Sequence, residues 1–183
     1  MVAEVKGKIY VIGGIVGTGD SRRSIDTVEI YDPTENSWKS GHSLPTPRQG
    51  AAIAVAQEKI YVIGGRMGAG RSGTATNIVE VYDPSKDLWV SVGPEQERRT
   101  VAQAVAVEGK IYVIGGAAGG ETTGSIEMYD PATDTWMMTA LSLQEPRTGH
   151  CVASLGNKIY VISGATEESL AGIVGTVEEL TVR

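Results

Sequence analysis

The side chains best suited to catalysis or metal binding are two histidines, His42 and His150, and a single cysteine, Cys151. Three such residues cannot complete an all-His/Cys zinc site with four ligands, and one cysteine excludes an intramolecular disulfide. His150 and Cys151 are neighbours in an extended segment, so their side chains point to opposite faces and cannot form a thiol–imidazole dyad. We therefore expect no metal, no cofactor and a buried, structural Cys151.

A glycine-rich stretch at residues 68–73 matches the G-x-G-x-x-G pattern of dinucleotide-binding sites. In those sites the glycines open a helix whose N-terminal amide groups hold the pyrophosphate. Here the next apolar segment, residues 78–82, has the composition of a strand. We interpret the stretch as a flexible loop and expect no nucleotide at it.

Composition and charge exclude other classes. The chain of 183 residues has a formal net charge of −6 and no run of Lys or Arg, which argues against nucleic acid or an anionic membrane as the main partner. No segment has the eighteen or so consecutive apolar residues of a membrane span. The first ten residues lack the pattern of a secretory leader, so we expect a cytoplasmic protein.

The chain repeats itself with a period of about fifty residues. The segment Ile-Tyr-Val-Ile-Gly-Gly occurs at residues 9–14, 60–65 and 111–116, and returns at 159–164 with Ser163 in place of the first glycine. Each of the first three units continues with Tyr-Asp-Pro, a tryptophan seven residues after that tyrosine, and an arginine ten or eleven residues after the tryptophan. The resulting repeat positions are Gly13, Gly14, Tyr31, Trp38 and Arg48; Gly64, Gly65, Tyr82, Trp89 and Arg99; and Gly115, Gly116, Tyr129, Trp136 and Arg147.

One unit is predicted to be an antiparallel meander of four strands. Small apolar residues form the first strand, the nearly continuous apolar run of Ile-Tyr-Val-Ile forms the second, and the Asp-Pro turn separates the third from a fourth that the tryptophan opens. A strand that is apolar on both faces needs cover on both faces. Such sheets, stacked face to face, predict an all-β protein of the β-propeller class.

The combination of Gly-Gly, Tyr-Asp-Pro, tryptophan and Pro-Arg at these spacings resembles the kelch repeat. The resemblance covers nearly the whole chain and implies a single propeller domain, residues 1–183, with repeats at approximately 1–47, 48–98, 99–146 and 147–183. The last repeat is incomplete, because no tryptophan follows its third strand. Three interpretations stay open: a closed ring of four blades, a homodimer that completes a larger ring or pairs open edges, and a fragment of a longer kelch chain.

The aromatic and arginine repeat positions are expected to be structural. All ten aromatic side chains fall at repeat positions, where they are expected to pack the blades. Arg48, Arg99 and Arg147 occupy the family's repeated arginine position, so we expect them to form hydrogen bonds between blades.

Function is expected on the face that carries the long, variable loops, which join strands two and three within a blade and strand four to the next blade. The resemblance implies a non-catalytic module that binds a protein or peptide there. The loops on one side of this face are basic, which predicts an acidic segment as the ligand. The loops on its other side are acidic. The candidate binding residues are Arg22, Arg23, Arg66 and Arg71 on the basic side and Glu121, Glu167 and Glu168 on the acidic side. The alternative is an enzyme similar to the sialic acid mutarotases, with Arg71 or Arg99 and Glu95 or Glu97 acting on a sugar acid.

Overall fold

Four antiparallel sheets follow one another along the chain. The structure, a computed structural model, describes residues 1–68, 73–166 and 172–182. The first sheet contains β1 (Val2–Val5), β2 (Lys8–Val16), β3 (Arg23–Asp32) and β4 (Ser37–Ser40), with a 3₁₀ turn at Gly19–Ser21. The second region contains β5 (Ala52–Ala56), β6 (Lys59–Ile63), β7 (Arg66–Met67), β8 (Thr74–Ala75), β9 (Val79–Asp83) and β10 (Leu88–Val92).

The second half of the chain repeats this pattern. The third region contains β11 (Arg99–Thr100), β12 (Gln103–Val107), β13 (Lys110–Ile114), β14 (Ala117–Ala118), β15 (Glu121–Thr122), β16 (Ser125–Asp130) and β17 (Thr135–Ser142). The fourth contains β18 (Cys151–Leu155), β19 (Lys158–Ile162) and β20 (Val177–Thr181). The main sheets have the orders β1-β2-β3-β4, β5-β6-β9-β10, β12-β13-β16-β17 and β18-β19-β20. The predicted all-β fold of four-stranded antiparallel blades is confirmed.

The turn before each outer strand follows from its sequence. The aspartate of Tyr-Asp-Pro accepts a hydrogen bond from the backbone amide two residues later, at 2.9 Å for Asp32 and 3.0 Å for Asp83. The residue that closes the turn is left-handed, with φ of +47° at Asn36 and +52° at Asp87, a conformation that Asn and Asp tolerate. Each turn thereby places its tryptophan opposite the tyrosine of the preceding strand, as in the pairing of Trp89 with Tyr82.

The glycine pairs mark the point where the second strand leaves the sheet. Gly64 and Gly65 both have positive φ, and a Cβ on Gly65 would lie 2.8 Å from the carbonyl oxygen of Gln49. The glycines therefore allow the backbone of the loop to approach the segment that enters the same sheet. The loops that follow contain two-residue ladders, β7–β8 and β14–β15.

Three apolar clusters lie between successive sheets. Ile12 and Ile60 belong to the cluster between the first and second sheets, Ile63 and Val113 to the next, and Ile114 with Ile159 to the third. Among the described residues no fourth cluster joins the last sheet to the first. The described residues therefore form an open arc of four sheets, which does not support the interpretation as a closed ring of four blades.

The outer faces of the arc are exposed. Val2 on the first sheet is 59% exposed, and Leu155 and Val177 on the fourth are 74% and 58% exposed. Cys151 was predicted to be buried, but it is exposed because it lies on the uncovered face of the fourth sheet. The cysteine lies on the inner strand β18 as expected, but its side of that sheet has no following sheet to cover it.

Within the described part of the chain, no helix has the length and apolar character needed to cross a membrane.

Candidate functional site

A buried arginine stands where the chain enters each of the last three sheets. Arg48, Arg99 and Arg147 are 0%, 1% and 0% exposed. Each guanidinium bonds to a glutamate on the third strand of the sheet that follows, and these partners are Glu80, Glu127 and Glu178. We call these three arrangements the first, second and third seams.

The backbone completes each seam. In the second seam the Arg99 guanidinium donates to the carbonyl oxygens of Gly115 at 3.3 Å and Ser125 at 3.2 Å, and to Glu127 at 2.6 Å. The amides of Gln96 and Glu97 also donate to the Glu127 carboxylate, at 2.7 and 3.1 Å. A buried charge is tolerated only when it is paired and hydrogen-bonded in this way, so the arginine and its glutamate act as one unit.

The sequence prediction did not include these glutamates, although a signal for them was available. A glutamate precedes the tyrosine of Tyr-Asp-Pro by two residues in the first three repeats, at Glu29, Glu80 and Glu127, and the fourth repeat has Glu178 at the same place. A charged residue recurring within an otherwise apolar strand predicts a buried partner of opposite charge.

The second seam is richer in acid than the other two. Besides Glu127, the Arg99 guanidinium lies 2.8 Å from a Glu97 carboxylate oxygen and 3.6 Å from one of Glu95. Glu97 also accepts a hydrogen bond from the Ser125 hydroxyl at 2.7 Å. One guanidinium therefore faces three carboxyl groups, whereas only Glu80 pairs with Arg48 among the described residues.

Glu95 occupies a position that is apolar in the neighbouring repeats. The residue four positions before the seam arginine is Leu44 in one repeat and Leu143 in another, both buried against the first glycine of the pair. Glu95 is 1% exposed, and neither carboxyl oxygen has a hydrogen-bond partner among the described residues. Burial raises the pKa of Glu95 to about 9, which Arg99 only partly offsets, so this carboxyl group is neutral at pH 7.

Near the axis of the arc, three successive repeats meet through their backbone. The Val101 amide donates to the Gly50 carbonyl oxygen at 2.7 Å, and the Gly149 amide donates to that of Val101 at 3.2 Å. Val101 has a φ of +54°, which a β-branched residue rarely adopts, and its equivalents Gly50 and Gly149 have φ of +58° and +61°. The next residue in the fourth repeat, His150, is buried, and burial lowers its pKa to about 4.

The long loops lie together on one face, as strand alternation requires. Ser24 lies at the start of β3, where the first loop ends, and its amide and hydroxyl donate to the Gly68 carbonyl oxygen of the second loop, at 3.2 and 3.1 Å. The Thr122 hydroxyl donates to the Thr166 carbonyl oxygen at 2.7 Å and so joins the third loop to the fourth. We call this surface the loop face. A shallow groove of about 400 Å³ crosses it beside Arg23, Ser24, Thr46, Pro47, Met67 and Gly68.

The predicted binding residues divide between two parts of this face. Arg22 is exposed on the first loop, Arg23 is exposed at the start of β3, and half-buried Arg66 begins the second loop beside the Ser24 contact. Glu121 is exposed on the third loop and lies on the part of the face that joins the fourth. Arg71, Glu167 and Glu168 lie outside the described residues.

The comparisons with known proteins agree with this architecture. Residues 1–174 match the family model of the KLHDC2/KLHL20/DRC7 Kelch-repeats domain. The chain belongs to the kelch-repeat family. It is 37% identical to Kelch-like protein 35 of Mus musculus over 116 residues, and 34% identical to the human Kelch repeat and BTB domain-containing protein 8 over 113 residues. These matches cover 63% and 62% of this chain but only 19% and 17% of the relatives.

The kelch repeat thus accounts for both the four sheets and the three seams. The glycine pair, the tyrosine and the tryptophan build each blade, and the arginine at the end of the repeat ties one blade to the next. The chain spans about a fifth of the length of the curated relatives it matches. Among the repeats of this chain, the differences lie in the second seam and in the loops of the loop face.

Proposed function

We propose that this kelch module binds another protein through its loop face. The observation that carries the proposal is the joining of loops from adjacent blades, in particular the contact of Ser24 with Gly68, beside an open groove. Loops on a rigid repeat scaffold vary without cost to the core, which makes them suitable for recognition. The kelch-like relatives share the scaffold, whereas these loops differ from one repeat of this chain to the next.

The proposed ligand is an acidic segment of the partner. Arg22 and Arg23 are adjacent and exposed, Arg23 lines the groove, and Arg66 begins the neighbouring loop. Arginine presents a planar set of donors that suits carboxylates, and a local cationic surface speeds the encounter with an anion even on an acidic protein. Arg71 belongs to the same proposal through its place in the sequence, and Glu121, Glu167 and Glu168 are proposed to contact basic residues of the partner.

The test uses an array of short Asp/Glu-rich peptides. Replacing Arg22, Arg23, Arg66 and Arg71 together with alanine should abolish binding of the selected peptides, and added salt should weaken the wild-type interaction. The control replaces Lys6, Lys59, Lys86 and Lys110, which lie at the opposite ends of the blades, and should leave binding unchanged. Equal loss of binding in both variants would overturn the proposal, because it would show a response to net charge alone.

The enzymatic alternative receives less support from the geometry. A sugar-acid pocket needs a guanidinium that faces solvent, whereas Arg99 is 1% exposed and already contacts three carboxyl groups. A mutarotation assay on a panel of sugar acids tests the alternative, and rates equal to the spontaneous ones throughout would remove it.

We also propose that the two outer faces of the arc pair between two copies. The first and fourth sheets each expose apolar side chains, such as Val2 and Leu155, on faces whose equivalents are buried or half-buried in the middle sheets. A monomer rarely leaves apolar patches of this kind uncovered. Head-to-tail pairing would give each outer face the same kind of neighbour that the inner sheets have.

A further inference from the structure

A cleft lined by lysines lies between the first and second sheets, at the ends of the blades opposite the loop face. It has a volume of about 420 Å³, and we call it the lysine cleft. Three of its lysines belong to the first repeat and one to the second: Lys6, Lys8, Lys39 and Lys59. A concentration of positive charge on a chain with a net charge of −6 needs a local reason.

The two acidic residues that line the cleft are both paired already. The Glu58 carboxylate lies 2.7 Å from the Lys6 ammonium, and the Asp83 carboxylate lies 3.2 Å from that of Lys86. Among the described residues, neither Lys39 nor Lys59 forms an ion pair or a side-chain hydrogen bond. Two cationic side chains of the cleft are therefore left without a counter-charge.

The unpaired state of Lys59 is peculiar to the second repeat. A lysine begins the second strand in every repeat, at Lys8, Lys59, Lys110 and Lys158. In the first and third repeats this lysine pairs with the aspartate of Tyr-Asp-Pro, at 2.7 and 3.9 Å, and in the fourth it pairs with Glu179 at 2.6 Å. In the second repeat the equivalent aspartate, Asp83, pairs with Lys86, which stands where the neighbouring repeats have glutamate or threonine. Lys59 therefore lacks the partner that its equivalents have.

The repeat does not require the other lysines of the cleft either. Lys39 follows the tryptophan of the first repeat, where the next two repeats have Val90 and Met137. Lys6 opens the turn between the first two strands, where the third repeat has Glu108. All these junctions share the same fold, so the positive charge at the first one does not arise from packing of the blades.

A nearly buried tyrosine adds a neutral donor to the cleft. Tyr10 lines it and is 5% exposed, and its ring packs against the edge of Tyr82 with centroids 5.9 Å apart. The Tyr10 hydroxyl has no hydrogen-bond partner in the part of the chain that the structure describes. A tyrosine hydroxyl at such a buried position usually has a partner, so a ligand in the cleft would satisfy it.

The types of side chain indicate the chemistry of the ligand. The cationic residues recorded around the cleft are all lysines, whose compact ammonium groups bind phosphate as point charges, whereas arginine suits planar carboxylates. A phosphomonoester carries nearly two negative charges at pH 7, which matches the two unpaired lysines. The cleft is larger than one phosphate group and has room for part of the group that bears it.

We propose that the lysine cleft binds the phosphate group of a phosphomonoester. Lys39 and Lys59 compensate its charge, and the Tyr10 hydroxyl donates a hydrogen bond to it. The phosphate belongs either to a small molecule or to a phosphorylated side chain of a partner protein. Because the cleft and the loop face lie at opposite ends of the blades, the proposal stands whether or not the loop face binds an acidic ligand.

Isothermal titration calorimetry of the full chain tests the proposal with two probes, phenyl phosphate and a short peptide that carries one phosphoserine. At least one probe should bind saturably, and the tighter of the two identifies the source of the phosphate. Lys39→Gln combined with Lys59→Gln should weaken binding at least about tenfold. The matched control, Lys110→Gln combined with Lys158→Gln, removes the same charge from equivalent strands outside the cleft and should leave binding unchanged.

The contribution of the hydroxyl is measured separately. Tyr10→Phe keeps the ring and should weaken binding about fivefold, whereas Tyr61→Phe, at the equivalent position of the second repeat, should have no effect. The variant that lacks the four arginines of the loop face should bind the phosphate probes as the wild type does, which separates this site from the proposed acidic-peptide site.

Three results would overturn the proposal. The first is that neither phosphate probe binds saturably. The second is that the Lys110 and Lys158 control weakens binding as much as the cleft variant does, which would show a response to net charge alone. The third is that a glutamate-rich peptide of the same length displaces the bound probe as well as inorganic phosphate does, because the cleft would then accept any anion.

Discussion

The inner seams and the outer faces of the arc use the same repeat residues in opposite environments. Glu127 is buried and bonded to Arg99, whereas its equivalent in the first repeat, Glu29, is exposed. Trp136 is half-buried and its indole N–H is bonded, whereas Trp38 is 58% exposed. The difference shows that a repeat residue gains its stabilising role from the neighbouring sheet, not from its own.

The largest expected effect comes from breaking a seam. Glu127→Gln removes the charge that compensates buried Arg99 and should lower the free energy of unfolding by about 3 kcal/mol. Glu29→Gln makes the same chemical change at an exposed position and should change the free energy of unfolding by less than about 0.5 kcal/mol. Urea unfolding of both variants measures the contrast. Similar losses in the two would mean that the seam is not what stabilises the arc.

Replacing a tryptophan should give a smaller difference in stability between the inner and outer sheets. Trp136→Ala removes an indole that packs on Tyr129 and donates to Gly93, and should cost about 2 kcal/mol. Trp38→Ala removes an indole that packs only on Tyr31 among the described aromatic rings, and should cost about 1 kcal/mol or less. Thermal unfolding followed by circular dichroism compares the two. A larger cost at Trp38 would contradict the assignment of the first sheet's outer face as open.

The smallest expected effect is an increase in stability. Glu95→Leu restores the residue type of the other repeats and should raise the free energy of unfolding by about 1 kcal/mol at pH 7. The pKa of Glu95 rises from an ordinary value of 4.5 to about 9 on folding, so the folded chain binds the extra proton between these values. Wild-type stability should therefore fall as pH rises from 4.5 to 9, and the leucine variant should lose that part of the pH dependence. An unchanged pH profile would show that Glu95 ionises without penalty.

The repeats made the fold predictable from the sequence. Four occurrences of Ile-Tyr-Val-Ile specify four second strands, and Tyr-Asp-Pro with a tryptophan specifies the turn and the outer strand in three of them. The same periodicity misled the prediction for Cys151, because a repeat pattern describes an inner strand but not whether another sheet covers it. Whether the arc closes depends on the angle between sheets, which no residue of the repeat encodes by itself.

The candidate site was only partly predictable. Arg99 was recognised from its spacing, but its three carboxyl partners come from two separate segments that meet only in the folded chain. Glu95 and Glu97 were placed with Arg99 only in the enzymatic alternative. That Glu95 stands in a leucine position could have been noticed in the sequence, although its burial could not. The arginines of the loop face were found because charge on a variable loop is visible in the sequence, whereas the contact of Ser24 with Gly68 depends on how two repeats pack.

The central claim is that the two outer faces of the arc are interfaces, and the molar mass in solution tests it most directly. Light scattering behind size-exclusion chromatography should give twice the chain mass of 19.3 kDa, and Leu155→Glu should return it to a single chain. A mass of 19.3 kDa that does not change with concentration, for a chain with a sharp melting transition, would contradict the claim and show that the arc is stable with both faces exposed to water.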